Sequence, residues 1–299
     1  MRRLIVTGLV AALAMGALPF AAQAKASGHP AIPAAIFTDP PADKAHPARM
    51  EVLHIPSGGV EINGVAYLAG GAGVHPTVVL LHGLPGNEKN LDLAQAIRRA
   101  GWNVITFNYR GSWGSPGSFS FEGNLADAKA VLAYVRAPEH AKFLGVDTGK
   151  LVIAGHSMGG WVTGLTAAGD EALAGAVMIS AADMGGRGAV PAAKPMIAKS
   201  MATDMETLAN TSPEKMADEI IGFSPRLSFN ADVAKGLSKK PVLIVTSDDG
   251  LAAMDDKLAA AVKADGGRVT NLHLTTDHSY SDKRIALEAA VIRWLQGLD

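Results

Sequence analysis

A serine between glycines is the first feature of this sequence that could carry chemistry. Residues 155–160 read Gly-His-Ser-Met-Gly-Gly, directly after the apolar run Leu151–Ala154 and before a helix predicted from Met158. Because glycine tolerates backbone conformations that other residues avoid, Gly-x-Ser-x-Gly between a strand and a helix predicts a tight turn that projects the serine hydroxyl. The N-terminus of the helix behind it favours developing negative charge. We therefore predict that Ser157 is a catalytic nucleophile.

A second motif predicts backbone donors for an acyl-transfer site. Residues 82–86 read His-Gly-Leu-Pro-Gly and follow the apolar run Thr77–Leu81. The tetrahedral intermediate of acyl transfer needs N–H groups that face its oxyanion. We predict an oxyanion hole formed by the N–H groups of Leu84 and Met158, since Pro85 has no N–H and Met158 follows the nucleophile.

A general base is predicted in the loop that precedes the last helix. Residues 277–279 read Asp-His-Ser and follow the predicted strand Val269–Leu274. From such a loop His278 can reach over the sheet edge to Ser157. Helix capping by the neighbouring Ser and Asp residues is the competing interpretation. His273 lies within the strand and is the weaker candidate for the base.

The two histidines inside the Gly-rich motifs are interpreted as structural residues. His82 would shape the loop that carries the oxyanion donors. His156, which precedes the serine, would pack against its neighbours or cap a backbone group.

A carboxylate that orients the base is predicted after the apolar run Pro241–Val245. Asp248 and Asp249 follow this run, and one of them should hold the imidazole and stabilise its charged form. We favour Asp249, because Gly250 behind it leaves the backbone free to turn the carboxylate towards His278. Asp248 would then bind N–H groups of its own loop, although it remains the alternative acid.

These residues need a scaffold that brings strand ends together. From Met50 onwards, short apolar runs alternate with segments whose apolar residues recur at helical spacing. Continuous apolar strands separated by helices indicate a parallel sheet that is covered on both faces. The sequence therefore predicts the α/β class.

Residue order and motifs together resemble a known family. The order Ser…Asp…His, the two Gly-rich motifs and the terminal Asp-His loop are similar to the α/β-hydrolase superfamily over residues 50–298. Residues 108–112, Asn-Tyr-Arg-Gly-Ser, resemble its dienelactone-hydrolase-like and prolyl-oligopeptidase-like branch. The resemblance implies an eight-stranded, mostly parallel sheet with helices on both faces, and a triad of Ser157, His278 and Asp249.

Residues 184–240 interrupt the alternation of strands and helices and contain four prolines. We predict a cap-like insertion over the carboxyl edge of the sheet, with a packing subdomain at its side as the alternative. Together with the loop 111–119, it would limit access to the serine. Trp113, Phe119 and Phe121 would line a substrate pocket or pack in the core. The methionines of the insertion would form an adaptable apolar cover or add to the core: Met184, Met196, Met201 and Met205.

The N-terminal segment is typical of a cleavable signal peptide. Arg2 and Arg3 precede the uncharged apolar stretch Leu4–Phe20, and residues 22–24 read Ala-Gln-Ala. We predict cleavage after Ala24 and a periplasmic or secreted mature protein without a membrane anchor. An uncleaved membrane anchor is the alternative, although the stretch is short and interrupted by Gly and Pro.

The composition excludes several classes of function. The 299 residues include 27 Lys+Arg and 28 Asp+Glu, a net charge of −1 that gives no electrostatic footprint for nucleic acid. Without Cys there is no disulfide, no thiolate metal site and no Cys nucleophile. We expect an Ala/Pro-rich leader at 25–49, one hydrolase domain at 50–299, and no substrate-screening propeller before it.

The sequence therefore predicts a secreted serine hydrolase that cleaves carboxylic esters through an acyl-enzyme, without cofactor or metal. Its substrate would be a small-molecule ester or a short peptide-like molecule. A serine exopeptidase or amidase with the same triad is the first alternative. A non-catalytic binding protein on a hydrolase scaffold is the second.

Overall fold

The computed structural model describes residues 31–203 and 205–298. The predicted signal peptide and the first residues of the predicted leader lie outside this part of the chain. Eight strands form one sheet: β1 (Arg49–Ser57), β2 (Val60–Leu68), β3 (His75–Leu81), β4 (Asn103–Phe107), β5 (Val146–His156), β6 (Gly175–Ile179), β7 (Val242–Thr246) and β8 (Val269–His273).

The strand order in the sheet is β1-β2-β4-β3-β5-β6-β7-β8. Strands β1 and β2 pair antiparallel, as do β2 and β4, whereas every later pair is parallel. The predicted eight-stranded, mostly parallel sheet is thus confirmed. Because parallel neighbours end at the same edge, the loops after β3 to β8 meet there.

Ten α-helices are described: α1 (Leu91–Arg99), α2 (Phe121–Arg136), α3 (Pro138–Leu144), α4 (Met158–Gly169), α5 (Met184–Arg187), α6 (Lys194–Met201), α7 (Pro213–Phe223), α8 (Ala231–Leu237), α9 (Ala252–Ala264) and α10 (Arg284–Gln296). Apolar side chains of α2, α4, α8 and α9 bury one sheet face, and those of α1 and α10 bury the other. The predicted cover on both faces is therefore confirmed. In the residues that the structure describes, no helix is long and apolar enough to span a membrane.

The segment before β1 runs along the surface of the domain. A short 3-10 helix, Ala34–Ile36, packs beside α1 and α10. The guanidinium of Arg99 in α1 donates hydrogen bonds to the carbonyl oxygens of Ala35 and Ile36. Both these backbone hydrogen bonds and the partly buried side chains of Ala35 and Ile36 thus attach this part of the leader to the domain.

The predicted insertion 184–240 divides into two parts. Helices α5, α6 and α7 belong to its first part, and the backbone of residues 207–209 pairs with the loop after β4. In that pairing the Trp113 N–H donates to the Thr207 oxygen over 3.0 Å, and the Phe119 N–H donates to the Ala209 oxygen over 3.0 Å. This part of the insertion therefore contacts a loop at the carboxyl edge of the sheet.

Helix α8 differs from the prediction because it packs against α4 and α9 rather than over the site. It begins after Asn230, whose side chain accepts a hydrogen bond from the Val233 N–H, and it buries Val233, Ala234 and Leu237. These apolar residues at helical spacing face the sheet core. Residues 231–240 therefore form part of the crossover between β6 and β7, and the cap ends before them.

Candidate active site

Ser157 occupies a strained turn between β5 and α4. Its backbone has φ 58° and ψ −123°, a region that costs free energy for any residue with a side chain. A Cβ atom at Gly155 would lie 2.2 Å from the Gly159 oxygen, and one at Gly159 would lie 2.5 Å from the Leu81 oxygen. Only glycine fits at both positions, which is why the motif has this spacing.

The loop after β3 packs directly against the turn at Ser157. A Cβ atom at Gly83 would lie 2.9 Å from the Ser157 Cβ, so the two backbones are in close contact. Leu84 follows Gly83 in this loop and is half-buried. Met158 is the first residue of α4, where backbone N–H groups have no acceptor within the helix. The two predicted oxyanion donors thus lie on the two segments that meet at Ser157.

His82 is buried at the start of this loop. Its Nδ1 lies 2.7 Å from the Gly83 oxygen, and its ring packs edge-on against Tyr109 at 4.8 Å. Burial lowers the pKa of His82 to about 4, so the ring is neutral at neutral pH. His82 is thus a neutral, buried residue that contacts the backbone of its own loop, which fits a structural role in that loop.

Both candidate aspartates bind a histidine, and the structure assigns one partner to each. His278 Nδ1 donates to Asp249 Oδ2 over 2.7 Å. His273 Nε2 donates to Asp248 Oδ1 over 3.0 Å. The side chain of Asp249 is 3% exposed, whereas that of Asp248 is 55% exposed. The two residues favoured from the sequence thus form the enclosed pair.

Asp249 is held in its ionised form by its surroundings. Burial raises the pKa of this carboxyl, but hydrogen bonds from His278 and from the Leu251 N–H outweigh that effect. The hydroxyl groups of Ser180 and Ser247 lower the pKa of Asp249 further. The net pKa lies below the ordinary value for Asp, so the carboxylate can stabilise a positive charge on the ring that it binds.

A buried hydroxyl cluster behind Asp249 was not predicted from the sequence. Ser180 Oγ lies 3.0 Å from Ser247 Oγ and 2.9 Å from the Tyr280 hydroxyl. Tyr280 donates to the Val245 oxygen over 3.0 Å. Ser247 directly precedes the aspartate pair in the sequence, which is a usable signal, but Ser180 and Tyr280 come from distant segments that no local motif marks.

His156 connects the loop that carries His278 to the turn at Ser157. Its Nε2 donates to the His278 oxygen over 2.8 Å, and the two rings lie 4.5 Å apart. His156 directly precedes Ser157, so this contact brings the backbone of His278 beside the serine turn. Burial is the main cause that lowers the pKa of His156 to about 4, and the ring is therefore neutral at neutral pH.

The predicted pocket residues differ in their environment. Phe119 is buried in the core, with its ring centroid 5.5 Å from that of Phe121. Phe121 also packs edge-on against Trp161 and Phe223. The core packing considered for Phe119 and Phe121 is therefore what the structure shows, because both rings belong to an aromatic cluster that also contains Trp161 and Phe223 of α7.

Trp113, by contrast, is partly exposed and borders the loop after β3. Its indole N–H donates to the Pro85 oxygen over 2.8 Å, and the ammonium group of Lys89 lies 4.4 Å from its ring centroid. The methionines of the insertion also differ: Met184 and Met201 are buried, Met205 is partly buried, and Met196 is exposed. Among the described residues, no group of three or more His, Asp or Glu side chains could hold a metal ion.

Comparison with known proteins decides the family. The model of the alpha/beta hydrolase family matches residues 78–295. This chain belongs to the alpha/beta hydrolase family. The matched region of this alpha/beta hydrolase includes the serine turn, both Asp–His pairs and residues 184–240.

Individual relatives of this alpha/beta hydrolase are distant. An uncharacterized protein of Mycobacterium tuberculosis is 30% identical over 123 residues, which cover 40% of this chain and only 41% of that protein. An esterase of Pyrobaculum calidifontis is similar in structure, with a TM-score of 0.63 and 19% identity over 84% of this chain and 87% of that one.

An acylaminoacyl peptidase of Pyrococcus horikoshii has a TM-score of 0.60 and 14% identity, over 83% of this chain and 41% of the peptidase. At such identities these two structures show a shared fold.

Proposed function

We propose that this alpha/beta hydrolase cleaves carboxylic esters through a covalent acyl-enzyme. Ser157 would be the nucleophile, His278 the general base and Asp249 the residue that orients it. The observation that carries this proposal is the enclosed Asp249–His278 hydrogen bond of 2.7 Å, joined through His156 to the strained serine turn. The fold shared with the Pyrobaculum calidifontis esterase supports an ester as substrate.

In the acylation step, Ser157 Oγ attacks the ester carbonyl carbon while its proton passes to His278 Nε2. The resulting oxyanion would accept hydrogen bonds from the N–H groups of Leu84 and Met158. Asp249 stabilises the imidazolium that forms on His278. The intermediate then collapses, the bond to the alkoxy oxygen breaks, and the alcohol leaves with the proton from His278.

In the deacylation step, water replaces the alcohol. His278 accepts a proton from the water, whose oxygen attacks the acyl carbon. A second oxyanion forms and collapses, the bond to Ser157 Oγ breaks, and the serine recovers its proton from His278. The products are a carboxylic acid and free enzyme, with no net change in oxidation state and no cofactor.

The test combines covalent labelling with a substrate panel. A fluorophosphonate probe should label the purified protein once, and peptide mapping should place the label on Ser157. Ser157→Ala should lose the label and lose kcat by about 10⁶-fold, as for nucleophile removal in other triad enzymes, with its circular dichroism spectrum unchanged. Label on another residue, or turnover retained by this variant, would contradict the proposal.

The panel should contain p-nitrophenyl esters and aminoacyl nitroanilides. Faster turnover of the esters, by kcat/KM, supports the ester assignment. Faster turnover of the nitroanilides would instead favour a peptidase or amidase. Amide substrates are included because the Pyrococcus horikoshii acylaminoacyl peptidase shares this fold.

We also propose that the protein is exported and that its first 24 residues are removed. The charged start, the apolar stretch and the Ala-Gln-Ala site support this. The full sequence with a C-terminal tag, expressed in a Gram-negative host, should appear in the periplasm or medium with Lys25 as its first residue. An intact N-terminus in the cytosolic or membrane fraction would contradict it.

A further inference from the structure

We propose that His156 is a positioning residue that fixes the backbone of the catalytic base, an inference that rests on the proposed function. A His immediately before a nucleophile is easily taken for a packing residue. Here its polar group contacts the backbone of the residue proposed to accept the serine proton.

The direction of the hydrogen bond follows from the acceptor. A carbonyl oxygen can only accept, so His156 Nε2 carries the proton and donates to the His278 oxygen over 2.8 Å. The ring of His156 is buried, and it lies 4.5 Å from the ring of His278. Its backbone is held in the sheet, because His156 is the last residue of β5 and pairs with Ile179 of β6.

His278 is thereby held at two points. Asp249 binds the side chain at Nδ1, and His156 binds the backbone oxygen. With the first contact alone, the imidazole could still swing about the Nδ1–Oδ2 line as its backbone shifts. The second contact removes that freedom and sets the approach of the base to Ser157.

The neutral state of His156 suits this role. A second positive charge beside His278 would oppose the imidazolium that forms in each transfer step. His156 donates its hydrogen bond without carrying charge, because its burial disfavours the protonated ring. A lysine or arginine at this position could donate to the same oxygen but would place a permanent cation next to the base.

The following residues of the loop are anchored independently. Arg284 Nη1 donates to the Ser279 oxygen over 3.1 Å, and the Tyr280 hydroxyl is buried in the cluster behind Asp249. Loss of the His156 contact should therefore shift His278 locally and leave the loop as a whole in place. This separates a positioning role from a role in folding.

The experiment compares two substitutions at His156 with one at a remote histidine. His156→Phe keeps the ring volume and removes the donor, whereas His156→Gln keeps an N–H donor at a similar reach. His140→Phe is the matched control, since His140 Nδ1 also lies 3.0 Å from a backbone oxygen, that of Tyr134, with its ring stacked on that tyrosine.

Kinetic constants for p-nitrophenyl acetate should be referred to the concentration of sites that fluorophosphonate labels, so that unfolded protein does not count. We expect His156→Phe to lower kcat about 10²-fold, the cost of a misplacement of about 1 Å, with KM changed less than threefold. The kcat of His156→Gln should be at least tenfold higher than that of His156→Phe. His140→Phe should keep kcat within twofold of the wild-type value.

The proposal is overturned if His156→Phe lowers kcat no more than His140→Phe does, or if His156→Gln is no better than His156→Phe. Wild-type protein that turns over no ester and takes no label at Ser157 would instead refute the proposed function. The two failures are thus distinguishable in one set of measurements.

Discussion

Two neighbouring aspartates bind two histidines in this protein, and the two pairs differ in almost every other respect. Asp248 and His273 form a surface pair, with side chains 55% and 45% exposed. Asp249 and His278 form an enclosed pair, in which the carboxylate is 3% exposed and the imidazole 39%. One pair is open to solvent, and in the other the carboxylate is enclosed.

The difference indicates that an Asp–His contact alone does not make a residue pair suited to proton transfer. Exposed ion pairs contribute little, since solvent screens them and both side chains lose freedom. Asp249 has in addition the Leu251 N–H and the hydroxyl cluster around Ser180 and Ser247, which together keep it ionised despite its burial. We infer that this surrounding, rather than the aspartate itself, distinguishes the proposed catalytic pair.

The largest expected effect tests which histidine is the base. His278→Gln should lower kcat by about 10⁶-fold, as base removal does in another triad enzyme, because no other group then accepts the serine proton. His273→Gln, on the surface pair, should stay within about threefold of wild type. The measurement is steady-state hydrolysis of a p-nitrophenyl ester at saturating substrate. Exchanged outcomes would move the base to β8.

The next effect concerns the acid. Asp249→Asn should lower kcat by about 10⁴-fold, the loss found for the equivalent change in another triad enzyme, because an amide cannot stabilise the imidazolium. Asp248→Asn should cost at most a few fold. If Asp248→Asn is the damaging change, the surface pair is the functional one and the comparison above is inverted.

A smaller effect should follow from the hydroxyl cluster. Ser247→Ala removes a buried hydroxyl that favours the ionised form of Asp249, and we expect kcat to fall about tenfold, equivalent to a charge-assisted hydrogen bond of ~1.4 kcal/mol. Ser238→Ala is the matched control, since the Ser238 hydroxyl donates to the Lys235 oxygen on the exposed surface. Equal kcat values for the two variants would show that the hydroxyl cluster does not contribute to the function of the Asp249–His278 pair.

The smallest expected effect is on stability and its dependence on pH, and it comes from Asp255. Burial raises the pKa of Asp255 to about 8, while Asp249 and other aspartates nearby add to the increase. The unfolded chain releases this proton near pH 4, whereas the folded chain keeps it to about pH 8. The free energy of unfolding should therefore decrease as pH rises between these values.

Asp255→Asn does not titrate, so its Tm relative to wild type should rise between pH 5 and pH 8 by roughly 5 °C, given the size of the protein. Asp256→Asn is the control, because Asp256 is the next residue of α9 and is exposed. Thermal unfolding followed by circular dichroism measures both. Parallel Tm curves for Asp255→Asn and wild type would show that Asp255 carries no buried proton.

The sequence predicted those features that local patterns encode. The alternation of apolar runs and helical segments gave the parallel sheet, and glycines at 155 and 159 marked the serine turn because a Cβ there meets backbone oxygens. The pairing of Asp249 with His278 could also be predicted, since the ends of parallel strands converge at one edge of the sheet. These inferences need only neighbouring residues and the geometry of a parallel sheet.

What escaped prediction depends on contacts between distant segments. The link from His156 to the backbone of His278 spans 122 positions, and the one from Ser180 to Tyr280 spans 100. No periodicity or spacing reveals such contacts. The end of the insertion was misplaced for a similar reason, because α8 is recognisable as a sheet helix only once α4 and α9 lie beside it.

The carboxylate of Asp183 joins the beginning of the insertion to its end. It accepts hydrogen bonds from the Gly186 N–H over 2.9 Å and from the Phe229 N–H over 3.2 Å. The two junctions of the cap are thus adjacent in space, and the sheet, the serine turn and both Asp–His pairs lie outside it. A chain segment with closely spaced ends can be exchanged at small entropic cost. Residues 184–229 could therefore be exchanged as one segment, while the sheet, the serine turn and both Asp–His pairs stay unchanged.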